Sequence, residues 1–442
     1  MMRRAASVGV AGATPLEGGG SPARHRAGDV GIGFRYTTFM ASPAPVAETS
    51  RFAAKRTLIL DTASALINER GVKGLSLGEV ADRIGLGNTA VTYYFKRRDV
   101  LAAACFDRGL DLLDAQVREA AALPDTRARI ARLVALHFAD LTDIDQGAAR
   151  PIARLSDMRA TDDPMRGVLV RRYYAIFRTA RGFFDEGTTE ESRLLRLMRT
   201  HVMLETLHAL PSWLDRYAGE EHDRVQARLV ELLCHGLVPG DTAAADPVAA
   251  IVAPPPSTDR FLDAATRLIN ERGYRGASVE RIAAALDVTK GSFYHHLDAK
   301  DDLVLACFRH SIAAIATAQQ AALAIAGDHR RQLAAALAAL VAVQLGGGTP
   351  LLRSTALVAL PKELRREVID RTNRLARRFA GMIIDGISEG SIAPVDPLVA
   401  GQVLLSALNV AYECRDIATR VPAERAVALY MSILLRGVLS DR

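Results

Sequence analysis

The chain has few of the residues that build metal centres, disulfide frameworks or membrane spans. Among its 442 residues are four cysteines, Cys105, Cys234, Cys307 and Cys414, with no CxxC or Cys/His ligand spacing between them. That excludes a zinc site and a disulfide framework, and it fits a reducing, cytoplasmic setting. No run of about 20 apolar residues is present. The nearest, LAAALAALVAVQL at 333–345, is too short and alanine-rich and reads as a buried helix. The N-terminal stretch lacks the uninterrupted apolar core of a signal peptide. There is no GxSxG, HExxH, P-loop or supported carboxylate pair, so neither an enzyme nor a cofactor is expected. Excess charge is small, +6 with a pI near 9.2, which is compatible with nucleic acid as a partner without demanding it. What remains is ordinary for a globular protein, 49% hydrophobic and 24% charged, and long enough for two or three domains.

The dominant feature is an internal repeat. Residues 60–106 align with 262–308 at a constant offset of 202 without a gap, and 17 of the 47 positions are identical. INERG stands at Ile67–Gly71 and again at Ile269–Gly273, and both segments end in Ala-Cys-Phe. The tails ELLCHGL (231–237) and SILLRGV (432–438) echo each other as well. The expected organisation is a disordered extension over 1–50, rich in Gly, Ala, Pro, Ser and Arg, then two copies of one unit. Within each copy a short N-terminal domain (51–106 and 259–308) precedes a helical bundle (107–240 and 309–442). A Pro/Ala-rich linker (241–258) joins the copies, its triple proline stiff and extended.

Each copy opens with an amphipathic helix. Ile59, Ala63, Leu66 and Ile67, and likewise Phe261, Ala265, Leu268 and Ile269, recur at i, i+4, i+7 and i+8. Gly71 and Gly273 fall where left-handed C-caps belong. Ser76 begins a second helix with Glu79 three residues on, a capping box; Ser278 repeats the cap, with Arg281 in place of the glutamate. A tight turn, Gly85-Leu86-Gly87 or Asp287-Val288-Thr289, leads to a third short helix, about 88–95 and 290–297. A fourth starts after Arg98 and Lys300. Two short helices joined by such a turn form a helix-turn-helix, whose second helix can enter a DNA major groove. In the second copy Thr289 and Lys290 stand at that helix's N-terminus, where free N–H groups favour phosphate. Gly291 and Ser292 permit close approach, Tyr294, His295 and His296 reach outward, and Phe293 and Leu297 face the core. The adjacent histidines point about 100° apart and make a poor chelate, so no metal is expected.

VTKGSFYHHLDAKDDL at 288–303 and AVTYYFKRRDVL at 90–101 resemble the recognition helix, and the start of the helix after it, in the tetracycline-repressor (TetR/AcrR) family of bacterial regulators. The resemblance covers about 50 residues at the front of each copy. It implies an all-α fold of two tandem units, each a three-helix helix-turn-helix domain followed by a ligand-binding and dimerisation bundle. It implies double-stranded DNA as the partner, and contacts from Gly78, Asn88, Thr89, Thr92, Tyr93, Tyr94 and Arg98. In the second copy the implied positions are Glu280, Lys290, Gly291, Tyr294, His295, His296 and Lys300. To these the residue-by-residue reading adds Lys96, in a basic run suited to phosphate, the capping serines Ser76 and Ser278, and Thr289 and Ser292. Asn88-Thr89 replaces the family's common Lys-Gly pair, and Glu280 places an acid near phosphate. Residues 51–106 carry nine basic and five acidic side chains, net +4, against seven and eight, net −1, over 253–308. The first copy therefore has the stronger electrostatic grip.

The bundles read as helices punctuated at Pro124, Pro164, Pro211, Pro361 and Pro394-Pro397. Met198, Met203, His208 and Trp213 are candidate linings for a pocket holding an unidentified small-molecule effector, with core packing as the competing account. Tyr412, Glu413 and Arg415 stand in a comparable place in the second copy. Leu229, Leu232, Leu233 and Tyr430, Ile433, Leu434 suit a helix–helix seam. The sequence thus points to a cytoplasmic repressor, at the nucleoid when bound to DNA, working either as a homodimer or as an intramolecular pseudo-dimer. The alternative is a ligand-binding or protein-interaction module that has lost DNA binding in one or both copies.

Overall fold

The computed structural model describes residues 50–161, 165–185, 187–238, 260–287, 300–346 and 348–439. The expected N-terminal extension and the 241–258 linker lie outside them. Residues Ser50–Arg442 cluster as one compact unit. Among the described residues every regular element is a helix. The first copy supplies α1 (Ser50–Gly74), α2 (Leu77–Arg83), α3 (Asn88–Tyr94), α4 (Arg98–Ala121), α5 (Thr126–Asp145), α6 (Met165–Arg181), α7 (Glu190–Ala209) and α8 (His222–His235). The second supplies α9 (Arg260–Gly276), α10 (Val279–Ala285), α11 (Lys300–Ala322), α12 (His329–Leu345), α13 (Lys362–Ser388), α14 (Pro397–Ala411) and α15 (Ala423–Arg436).

Local chemistry sets most boundaries. The Asp125 carboxylate accepts from Ala128 N–H to cap α5, and Asp328 accepts from Arg331 N–H to cap α12. Thr189 and Ser192 close a reciprocal capping box on α7. Pro397 does not break a helix; it occupies the first position of α14, where its missing N–H costs nothing. Pro164 lies outside the described residues. Gly71 and Gly273 have the positive φ expected of them, 69° in both, but ψ of 173° and 170° rather than the left-handed helical value. This backbone conformation is essentially restricted to glycine, which explains why the residue stands at the same place in both copies.

The asparagine of INERG does the same work twice. Asn68 Nδ2 donates to Ile152 O at 2.8 Å while its Oδ1 accepts from Arg154 N–H at 2.9 Å. Asn270 Nδ2 donates to Leu351 O at 2.9 Å and its Oδ1 accepts from Arg353 N–H at 3.0 Å. Each amide thus pins the first helix of its copy to a segment inside the bundle, between α5 and α6 or between α12 and α13. Cys105 and Cys307 are buried, and each thiol donates weakly to the carbonyl 45 residues back, Leu60 O or Leu262 O. Burial pushes the Cys105 thiol up to about 11, so it behaves as a small core hydrophobe.

The copies share a core. α7 and α8 pack against α14 and α15, burying Leu229 and Leu233 from one side and Tyr430 and Leu434 from the other. Tyr430 is fully buried and its hydroxyl donates to Ala407 O at 2.6 Å. At the rim Arg425 forks onto Glu191 with two bonds of 2.8 Å. Past the ends of α8 and α15 the chains cross. Leu237 and Val238 N–H groups both donate to Leu435 O at 2.8 Å, and Val438 N–H donates to Leu233 O at 2.7 Å. Among the described residues no helix is long and apolar enough to cross a membrane.

Candidate nucleic-acid interface

The exposed helix α3 is held from beneath. Ser76 Oγ accepts from Glu79 N–H at 3.0 Å and starts α2. The Glu79 half of the expected capping box is not made: its carboxylate turns to Arg70 at 2.7 Å and Arg83 at 3.5 Å, where two guanidinium groups outcompete one backbone N–H. α2 ends in a Schellman turn, with Gly85 at φ 65°, Leu86 N–H on Ala81 O and Gly85 N–H on Asp82 O. This turn sets α3 across α2. Val91 and Phe95, four residues apart, are buried against Val80 and Ala81.

With that face fixed, Asn88, Thr89, Thr92 and Tyr93 stand outward. Tyr93 is 73% exposed, an unusual state for a tyrosine. Thr92 Oγ1 donates back to Asn88 O at 2.8 Å, which fixes its rotamer. Tyr94 and Gly78 are half-buried, and a Cβ at Gly78 would meet nothing within 4 Å, so the side facing out is open. Ser76 and Lys96 are exposed, while Arg98 begins α4. Arg97 is turned onto Asp99 through two bonds of 2.9 and 2.6 Å, and this guanidinium holds the Asp99 carboxyl below its usual range.

Phe52 was not singled out by pattern. Its ring lies 4.6 Å from Tyr94 and 6.2 Å, edge-on, from Tyr93, so the first turn of α1 braces the outward aromatic pair. Arg56 sits over the Phe95 ring at 5.6 Å, and Arg51 and Lys55 are exposed on the same turn. A basic residue beside an aromatic, just ahead of an apolar stripe, was the only signal, and it reads equally well as an ordinary helix start.

In the second copy Ser278 caps α10 by accepting from Arg281 N–H at 3.3 Å, and Glu280 is exposed. The position equivalent to Gly85 is Asp287, at φ 55°, a left-handed conformation that aspartate tolerates better than most residues. The expected helix 290–297, with Thr289, Lys290, Gly291, Ser292, Tyr294, His295 and His296, lies outside the described residues. Lys300 opens α11.

Of the four candidate effector contacts, Met198 and Met203 are fully buried in the core, whereas His208 and Trp213 line a cavity of about 340 Å³ between the copies. Glu413 also lines it, ion-paired to the buried Arg353 rather than to Arg415. Arg415 lies over the Tyr412 ring at 3.8 Å. Burial pushes the His208 and His137 imidazoles down to about 4, so both rings are neutral at pH 7. Protons then bind the unfolded chain, near pH 6.5, before the folded one. Stability should be flat above pH 6.5 and fall as pH drops from 6.5 toward 4. Urea midpoints at half-unit intervals test this. His208→Phe should flatten the fall, and an unchanged slope would remove this histidine from the account.

Among the described residues α2 and α3 form a helix-turn-helix, and the sequence of that segment recurs in the second copy. Residues 59–105 and 261–307 match the family model for bacterial regulatory proteins, tetR family. Residues 326–438 match a tetracyclin repressor-like C-terminal domain. The chain is a tandem of two tetR-family units, a family of regulators rather than enzymes. It is 41% identical over 46 residues to the transcriptional repressor DhaR of Mycobacterium sp. strain GP1, covering 10% of this chain and 23% of that one. It is 38% identical over 69 residues to the repressor AcnR of Corynebacterium glutamicum, covering 16% and 37%. The matches thus span well under half the length of these curated relatives. A crystal structure of the TetR-family regulator PfmR from Thermus thermophilus aligns at 26% identity over 40% of this chain and 98% of that one, with a TM-score of 0.34.

Proposed function

We propose that the protein is a transcriptional repressor that binds double-stranded DNA through α3 and through its repeat counterpart at 290–297. The observation that carries this reading is the outward row Asn88, Thr89, Thr92 and Tyr93 on a short helix whose other face is locked by Val91 and Phe95. Phosphate contacts come from Lys96 and Arg98, with Ser76, Gly78 and Tyr94 beside them. In the second unit the corresponding set is Ser278, Thr289, Lys290, Gly291, Ser292, Tyr294, His295, His296 and Lys300. On this reading each copy works as a reading domain (51–106 and 259–308) and a bundle (107–240 and 309–442), joined through the continuous helices α4 and α11.

The two units act as the halves of one pseudo-dimer, supported by the shared core and the crossed tails. Their readers enter successive major grooves roughly 34–36 Å apart. Because the reading helices differ in sequence and the first domain is more basic, the operator is asymmetric. A small molecule in the bundle that favours one arrangement of the halves over another shifts the spacing and releases DNA. Selecting genomic fragments with purified protein, then measuring particle mass beside a nuclease footprint, tests this. One chain protecting one short asymmetric site is expected. No selected fragment defeats the repressor reading, and two chains on a palindrome defeat the pseudo-dimer.

A further inference from the structure

We infer that Phe52 is a positioning residue for the first reader: it fixes the Tyr93 ring in its DNA-facing orientation before DNA arrives, without touching DNA itself. This rests on the repressor reading of α3 and deepens it by naming what presets one of its two readers.

The need for a brace follows from where Tyr93 stands. It projects from α3 with 73% of its surface exposed, and among the described residues its hydroxyl has no partner. Val91 and Phe95 anchor the buried face of α3 and leave this side chain unrestrained. A tyrosine so placed is free to change rotamer, and freezing it on binding costs affinity.

Phe52 supplies the restraint. Its ring lies 4.6 Å from the Tyr94 ring at a tilt of 36°, and 6.2 Å from the Tyr93 ring at 83°. Tyr93 and Tyr94 meet edge-on at 5.4 Å and 89°. Each ring thus lies within pairing range of the other two, in tilted or edge-to-face arrangements that suit aromatic quadrupoles. Tyr94 is the footing, because it packs against the hydrophobic core. Neighbouring side chains on a helix point about 100° apart, so Tyr94 alone restrains Tyr93 from one side only. Phe52 closes the triangle from the first turn of α1.

The device belongs to one copy. Extending the repeat offset of 202, Phe52 corresponds to Pro254, and Tyr93 and Tyr94 correspond to His295 and His296. The second copy therefore keeps neither the phenylalanine nor the tyrosine pair. Phe52 also stands ahead of residues 59–105, the stretch that matches the family model, so the shared family pattern does not account for it.

The test uses full-length protein and a genomic fragment that it selects. Phe52→Ala should lower affinity about fivefold, the usual cost of ordering one side chain on binding. The slope of log affinity against log salt should not change, because no charge is lost. Alanine suits the start of α1, so the melt should be retained. In a Tyr93→Ala background the same substitution should cost less than about twofold, since the residue it acts through is gone. Phe52→Tyr keeps a ring in place and should restore the parental affinity. A second readout needs no DNA. In the free protein with 13C-labelled tyrosine, the ring signal that Tyr93→Ala removes should shift in Phe52→Ala as the ring current of Phe52 is lost. A penalty that persists undiminished in the Tyr93→Ala background would mean that Phe52 contacts DNA itself, and would overturn the positioning role. So would an unmoved Tyr93 signal, or Phe52→Ala binding as tightly as the parent. If Tyr93→Ala still weakens binding in those cases, the repressor reading stands alone. Selection of no fragment defeats that reading and this role with it.

Discussion

Alanine at Asn88, Tyr93 and Lys96 together lowers affinity for a selected genomic fragment by about 100-fold. The three side chains are exposed on or just after α3, and none contributes to the Val91–Phe95 anchor, so the fold should survive. A contact to phosphate or a base edge is worth about 1 kcal/mol or more, and three sites with no shared partner add to roughly 3 kcal/mol. That corresponds to the stated loss at a tenfold change per 1.4 kcal/mol. Lys96 adds a second signature. Removing one phosphate contact reduces the slope of log affinity against log salt by about 1, whereas losing Asn88 or Tyr93 leaves the slope nearly unchanged. Fluorescence anisotropy over a salt series separates these effects. If the triple variant binds as tightly as the parent with the same slope, α3 is not the reading element.

The helix-turn-helix was legible because its determinants are local. The Ser76 cap, the Gly85 turn and the i, i+4 pair Val91 and Phe95 lie within twenty residues, and the repeat supplied an independent second copy of the pattern. Asn68 was legible only as a repeated letter; its role depends on Ile152 and Arg154, far away in sequence. Glu79 was misplaced for the same reason, since Arg70 and Arg83 reach it only after α1 and α2 pack. Gly71 was correctly marked as a stop, yet sequence alone does not separate two backbone regions that share positive φ. In α7 the cavity face runs through His201, Glu205 and His208, at i, i+4 and i+7, while Met198 and Met203 fall on the inward side. No periodicity could announce which face matters, because the opposite wall belongs to the other copy.

Substituting alanine at Gly236 or Gly437 should cost about 3 kcal/mol or more, the larger of the two stability effects expected here. The two glycines are repeat partners, at φ 70° and 78°, and each ends the last helix of its copy. A Cβ on Gly236 would lie 2.4 Å from Gly437 N and 2.5 Å from Leu435 O. One on Gly437 would lie 2.3 Å from Cys234 O. The atoms met are backbone, the two carbonyls accepting hydrogen bonds across the crossing, and cannot swing aside as a flexible side chain would. Strain at positive φ and overlap with the opposite tail therefore act together, and the seam must open for either variant to fold. Gly219 is the control: it has no positive φ and a Cβ there meets nothing within 4 Å, so Gly219→Ala should stay within about 0.5 kcal/mol of the parent. Urea unfolding followed by circular dichroism measures all three. With the crossing intact, the shared core should unfold in one transition; with it broken, the copies should melt separately and the transition should split. Gly236→Ala as stable as Gly219→Ala would mean that the tails do not hold the halves together. If the halves do part, each reader is left to bind alone, and DNA affinity should fall even though no residue of α3 has been touched.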